Sequence, residues 1–144
     1  MGTKTGLGIA FICCLVVLGC NHSSSRLVGT WVQLPDPTFS NPPDITLTFE
    51  GNGTFKAKMN SPKGSITQGG TYETNGNNVT FHCSSYDMDA PDAVTQARVD
   101  KEKDQILNMT KNPVNRTVTW TSPTEFKMDG MPGPLMLGEK YKKK

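Results

Sequence analysis

Ile45-Thr46-Leu47-Thr48-Phe49-Glu50-Gly51-Asn52-Gly53-Thr54-Phe55-Lys56-Ala57-Lys58-Met59 consists of two alternating runs about a glycine-rich break. Side chains in a strand point to opposite faces in turn, so Ile45, Leu47 and Phe49 share one face and Thr46, Thr48 and Glu50 the other. Beyond Gly51-Asn52-Gly53, Phe55, Ala57 and Met59 repeat the pattern against Lys56 and Lys58. The stretch predicts a β-hairpin with one apolar and one wet face.

The same reading extends in both directions. A first strand is expected at 28–34, followed by a loop at 35–44 whose four prolines cannot donate to a ladder. Strands at 66–74 and 79–83 pair through Asn75-Gly76-Asn77, where Asn-Gly is the signature of a type I′ turn. An Asp- and Pro-rich loop at 84–92 interrupts the series. Strands at 94–100 and 105–110 then pair across Lys101-Glu102-Lys103-Asp104, and strands at 115–121 and 124–128 across Ser122-Pro123. A Gly/Pro/Met-rich turn at 129–134 leads to a last short strand at 135–139. Eight to ten short strands joined by tight turns form an all-β, up-and-down antiparallel meander. Closing it into a barrel removes its two exposed edges.

Ahead of this body, Lys4 precedes an apolar run at 7–18 of about 12 residues, the length of a signal-peptide core. A spanning helix needs roughly 20. The run ends in Val17-Leu18-Gly19-Cys20, and the polar stretch from Asn21 to Ser25 stops it abruptly. This resembles the lipobox of a bacterial lipoprotein precursor. The resemblance implies cleavage before Cys20, thioether attachment of diacylglycerol to Cys20, and a membrane partner held through that lipid. Two or three acyl chains anchor stably where one holds marginally. Asn21, not Asp, follows Cys20, so the inner-membrane retention signal of enteric bacteria is missing and the outer membrane of a cell envelope is favoured. A plain secretory peptide and an uncleaved anchor are the other readings of the same segment.

Processing alters the cysteine count. Of Cys13, Cys14, Cys20 and Cys83, only Cys83 stays unmodified in the mature body, so neither an intramolecular disulfide nor a Cys-based zinc site is available. Cys83 reads as a small buried hydrophobe, with His82 on the opposite strand face. Charge is unevenly placed too. Five of the 15 basic residues are Lys4 and the lysines at 140, 142, 143 and 144, which leaves a formal −3 on residues 20–139. No basic stripe with interleaved aromatics runs along the body, which argues against nucleic acid as a partner. The tail at 140–144 is expected to fray, with contact to anionic headgroups as the alternative. The domain scheme is a signal peptide at 1–19, a lipidated Cys and tether at 20–26, a barrel at 27–139 and a basic tail at 140–144.

Gly29-Thr30-Trp31 opens the first strand directly after the tether. With the meander that follows, it is similar to the lipocalin and calycin pattern, in which Gly-x-Trp closes the narrow end of the barrel. The resemblance implies that an Arg or Lys from the last strands lies across the indole as a cation–π partner. Arg116 is the first candidate and Lys127 the second. The chain resembles the small lipocalin-like domains of bacterial envelope lipoproteins more than secreted lipocalins.

No catalytic constellation emerges. His22 lies in the tether and His82 on an outward strand position, so no nucleophile–base–orienter set assembles and no enzyme is expected. Asp87, Asp89 and Asp92 raise calcium, but an EF-hand starting at Asp87 would need Gly at 92 and Glu at 98, where Asp92 and Arg98 stand. Met128, Met131 and Met136 raise copper, without regular spacing or His. Neither metal nor cofactor is expected. Sequons at Asn21, Asn52, Asn78, Asn108 and Asn115 arise by chance in Thr-rich strands and go unused in a bacterial lipoprotein.

Two functional readings remain. In one, the barrel binds a small apolar ligand or lipid in its mouth. In the other, the barrel is filled and its loops contact an envelope protein. Trp31, Phe49, Phe55, Tyr72, Phe81, Trp120 and Phe126 are all expected to point inward and to fill much of an eight-strand interior.

Overall fold

The computed structural model describes residues 26–35, 43–62, 64–109, 111–129 and 140–144. Eight strands and one long helix run in the order β1 (Gly29–Gln33), β2 (Asp44–Phe49), β3 (Thr54–Ser61), β4 (Gly64–Asn75), β5 (Asn78–Asp89), α1 (Ala93–Met109), β6 (Val114–Ser122), β7 (Glu125–Asp129) and β8 (Lys140–Lys143). Each strand pairs antiparallel with its chain neighbours and β8 returns to β1, so the sheet is a closed barrel. The all-β meander expected from alternation is present. The hairpin that anchored it has the register Ile45↔Met59, Leu47↔Ala57 and Phe49↔Phe55, with all but the half-buried Met59 buried.

Turn chemistry departs from expectation in one place. Gly76 takes a φ of 60°, but among the described residues none other than glycine has positive φ, so Asn77 does not. A type I′ turn needs positive φ at both central positions, whereas a type II′ turn needs it only at the first, which Gly76 supplies.

Three segments differ from the sequence reading. The strand pair expected at 94–100 and 105–110 is a single helix, α1, packed against β5. Its N-terminus is capped by Asp92, whose carboxylate accepts from the Thr95 N–H at 2.8 Å and the Thr95 hydroxyl at 2.7 Å. A cap of this kind contributes about 1 kcal/mol. Ala93, Gln96, Ala97, Lys101, Gln105 and Leu107 are helix formers or tolerant of helix, and Lys101-Glu102-Lys103-Asp104 contains no Gly, Asn or Pro to turn a hairpin. Second, β5 continues to Asp89 through what reads as a loop at 84–92. A β-bulge lets it do so: Gly69 pairs with Ser85 and Gly70 with Cys83, leaving Ser84 as the extra residue. The strands approach so closely there that a Cβ on Gly70 would run into the His82 carbonyl.

Third, the tail expected to fray is the closing strand. Tyr141 pairs with Gln33 on one side and Phe126 on the other. The Lys143 N–H donates to Thr124 O at 2.8 Å and the Lys144 N–H to Thr30 O at 3.0 Å. Lysines flanking a fully buried Tyr141 satisfy the in–out alternation of an edge that must become a seam. The barrel therefore extends past 139, through the residues assigned to a tail. The strand expected at 135–139 lies outside the described residues.

Strand direction separates the two ends of the barrel. The tight turns after β2, β4 and β6 lie at one end, with the N-terminal turn Arg26–Leu27 and Lys144. The ends of β1, β3, β5 and β7 and the starts of β2, β4, β6 and β8 lie at the other.

Candidate functional site: the barrel interior from floor to mouth

The closed end is built around Trp31, which has no solvent exposure. Its indole N–H donates to the Leu27 carbonyl at 2.7 Å, which ties the N-terminal turn under the barrel. Phe126 and Trp120 meet its ring edge-on, with centroids 4.7 and 5.7 Å away. Tyr141 stacks on Phe126 at 5.2 Å. Edge and stacked contacts of this kind add about 0.5–1.5 kcal/mol each beyond burial.

The cation over Trp31 is Lys143, with Nζ 5.4 Å from the ring centroid. This corrects the assignment of that role to Arg116, and Lys127 is exposed on β7. Gly29 is part of the same device. Its φ is 130°, and a Cβ there would stand 3.1 Å from Lys143 Cε, so glycine leaves room for the lysine stem to cross to the indole. A second cation closes the rim: the Arg26 guanidinium lies 3.8 Å over Trp120 and donates to the Ser122 carbonyl at 3.2 Å. Both cations come from the ends of the barrel chain.

Away from the plug the interior changes character. Val114, Arg116, Val118 and Trp120 share the inner face of β6, and along that strand Arg116 stands farther from the β6–β7 turn than Val118 and Trp120. It is 5% exposed, and its Nε has no hydrogen-bond partner among the described residues. Burial, opposed in part by the Tyr141 phenol, pushes the guanidinium below its ordinary range. Gln33, cross-strand from Tyr141, also faces inward with a buried Oε1 that no described residue satisfies. On the far wall Gln68 is 3% exposed, and it lines a void of about 10 Å³ with Ile45, Ala57, Met59 and Ile66. That is at the lower limit for one water molecule. Tyr86, beside Gln68 in register, is buried and its phenol pKa is raised by that burial.

The other candidates read from the sequence disperse. All seven aromatics expected inside are there, with Trp120 half-buried. Cys83 packs against the core from β5, its Sγ 3.6 Å from the carbonyls of Gly69 and Ser85. Asp87 pairs with Lys103 of α1 at 3.4 Å, Asp89 ends β5 and Asp92 caps the helix, so the three carboxylates do separate work. Among the described residues no group of three or more His, Cys, Asp or Glu is placed to hold a metal ion. Met128 is core, while Met131, Met136, His22 and the run Val17, Leu18, Gly19 and Cys20 lie outside the described residues. The Asn78 and Asn115 side chains accept from Thr117 and Thr80 across the β5–β6 ladder at 3.0 and 2.8 Å. On the outer wall, Thr54, Lys56, Thr67, Gly69, Thr71 and Ser85 line an open concavity of about 490 Å³ beside the bulge.

No family model and no curated protein matches the chain. Solved structures do. A lipocalin-like protein from Bacteroides uniformis superposes with a TM-score of 0.51 at 18% identity, over 83% of this chain and 99% of that one. An uncharacterized protein from Bacteroides eggerthii gives a TM-score of 0.49 at 14% identity, over 82% and 99%. The first establishes that the barrel has a lipocalin-like fold.

Proposed function

We propose that the chain is a lipid-anchored protein of a bacterial cell envelope, outer membrane where there are two, whose barrel binds a small apolar or amphiphilic ligand through its open end and performs no catalysis. The observation that carries the binding half is the contrast inside the barrel. The floor is closed by aromatics, while the interior above it keeps buried polar groups, Arg116 and Gln33, with atoms that no group among the described residues satisfies. Burying such groups costs free energy unless they are hydrogen-bonded, and convergent polar groups in an apolar cavity are the usual mark of a ligand site.

The anchoring half rests on the lipobox and is supported by chain placement. Arg26 enters at the closed end, so the tether at 21–26 joins the barrel there. Six extended residues span about 20 Å at most. A lipid on Cys20 thus holds the closed end toward the bilayer and directs the mouth away from it.

Native mass spectrometry of the barrel domain purified from its own envelope tests the binding half. A one-to-one adduct supports it. A bare mass from every preparation favours the other reading, a filled barrel whose loops contact an envelope protein. That reading draws its support from the dense aromatic floor and the small size of the void beside Gln68. Incorporation of labelled palmitate, abolished by Cys20→Ala, tests the anchoring half.

A further inference from the structure

Charge is divided around the outside of the barrel. Lys140 and Lys142 face outward from β8 and Lys56 and Lys58 from β3, with Lys144 just past β8. Among the described residues, the one carboxylate on β8, β1, β2 and β3 is Asp44. Acids concentrate on the other half, where Glu73, Asp87 and Asp89 are exposed on β4 and β5, and Asp100 and Asp104 on α1. Register sets four of the lysines out as a grid. Lys142, Val32, Thr46 and Lys58 form one cross-strand row. Thr30, Thr48 and Lys56 form the next, which Lys144 joins by donating its N–H to Thr30 O at 3.0 Å. Neighbouring strands lie about 4.8 Å apart, so the two lysine columns stand roughly 14 Å apart with uncharged side chains between them. Glu125 meets Lys142 at 3.9 Å from the β7 edge of the grid. Leu34 follows Val32 on the outward face of β1, beside Lys140, and is 36% exposed. Only it and Met109 are large apolar side chains exposed among the described residues.

We infer that the wall formed by β8, β1, β2 and β3 is the face this barrel lays on an anionic bilayer, with its lysines over the headgroups and Leu34 among them. This rests on the anchoring reading above and names the surface that is held against the membrane. Attraction of lysine to an anionic leaflet fades within a Debye length, about 8 Å at physiological salt, so it rewards a flat face lying close to the surface. Lysines flanking an exposed apolar side chain are the composition of an interfacial contact, and a soluble polyanion would leave Leu34 unused. Chain placement selects the same wall. The tether joins at Arg26, three residues before β1, and β1 lies inside the grid. A lipid on Cys20 therefore brings this wall to the surface with the barrel tilted on its closed end. The acids of β5 and α1 are turned to the aqueous side, away from the charge that would repel them.

The experiment uses the chain from residue 20 onward carrying Cys20→Ser, so that no lipid holds it, in flotation with two kinds of vesicle. One is phosphatidylcholine alone and the other is phosphatidylcholine with phosphatidylglycerol at about three to one. Association with the anionic vesicles is expected to be at least about tenfold stronger, and to be lost in about 0.5 M sodium chloride. Lys56→Gln, Lys58→Gln, Lys142→Gln and Lys144→Gln combined should remove that preference. Arg98→Gln, Lys101→Gln, Lys103→Gln and Lys111→Gln combined change the net charge equally from the other half and should keep it. On the bound protein, a water-soluble acetylating reagent should modify the four wall lysines more slowly than on free protein, and Lys101 and Lys111 at an unchanged rate. Equal association with both vesicles, or with neither, overturns the assignment of the wall. An equal loss in the two variants also overturns it, because net charge alone would then account for the binding. Uniform protection of all six lysines does the same. Each of these failures leaves the anchoring reading standing, since palmitate on Cys20 reports on it separately. The acetylation pattern of the chain with its lysines intact decides the matter even if a variant does not fold.

Discussion

The two ends of this barrel's interior are made from the same alternating strands, yet they treat buried polar groups differently. At the closed end the polar groups around the plug have partners. The Trp31 indole has Leu27 O, the Lys143 ammonium lies over the Trp31 ring, and the Arg26 guanidinium has the Trp120 face and Ser122 O. Farther along the interior, Arg116 Nε and Gln33 Oε1 are buried without one among the described residues. On the ligand-binding reading proposed above, the difference would separate stability from recognition along one axis, since a plug works by satisfying everything it buries and a binding site keeps something for the ligand to satisfy.

Substitutions can break or sharpen that contrast. The largest effect is expected from Trp31→Ala, which empties the plug and should cost about 3–5 kcal/mol, read as a lower midpoint in chemical denaturation. An unchanged midpoint would mean the closed end is not the stabilising one. Gly29→Ala comes next, at roughly 1–3 kcal/mol, because it forces an L-residue to a φ of 130° and presses a methyl on Lys143. Its thermal melt should fall, and an unchanged melt would deny the close approach of Lys143 to Gly29. A smaller loss, about 0.5–1 kcal/mol, is expected for Lys143→Met, which keeps the stem over Gly29 and removes only the cation–π contact. A double-mutant cycle with Trp31→Phe isolates that contact, and a coupling of zero would deny it.

The smallest effect is a pH limb. Tyr72 and Tyr86 both have pKa values raised by burial, with the Glu50 carboxylate adding to the effect at Tyr72. A phenol with a higher pKa in the folded than in the unfolded chain contributes stability that is fully present below the unfolded value of about 10. That stability is lost as pH rises through the folded value. Stability should thus decline above pH 10, and Tyr72→Phe with Tyr86→Phe should flatten the decline. A denaturation series from pH 8 to 11 reads it directly.

Much of the fold was legible in particular residues. Ile45, Leu47 and Phe49 against Thr46 and Thr48 state a half-buried strand without any help from the rest of the chain. Gly29-Thr30-Trp31 signals the plug by its place at the head of the meander. Helix α1 was legible in principle, because Asp92 and Thr95 form a local cap, but Val94, Val99 and Ile106 imitate strand composition. Arg116 could be placed on the inner face from the alternation of Val114, Val118 and Trp120. Its height in the barrel could not, because height depends on strand register and stagger, which are set between strands rather than within one.

The alternation of apolar and polar residues, a local property with a period of two, was enough to determine an antiparallel barrel with its aromatics inside. The lipobox reading of the apolar run ending at Cys20 is an expectation from sequence that falls outside the described residues. Which cation lies over Trp31 was settled only by closure. Lys143 and Trp31 come from opposite ends of the barrel chain and meet because β8 returns to β1. A lysine-rich terminus looks the same on paper whether it frays or forms a seam. Only the pairing of Tyr141 with Gln33 and Phe126 distinguishes the two, and no local pattern encodes a contact between the two ends of a chain.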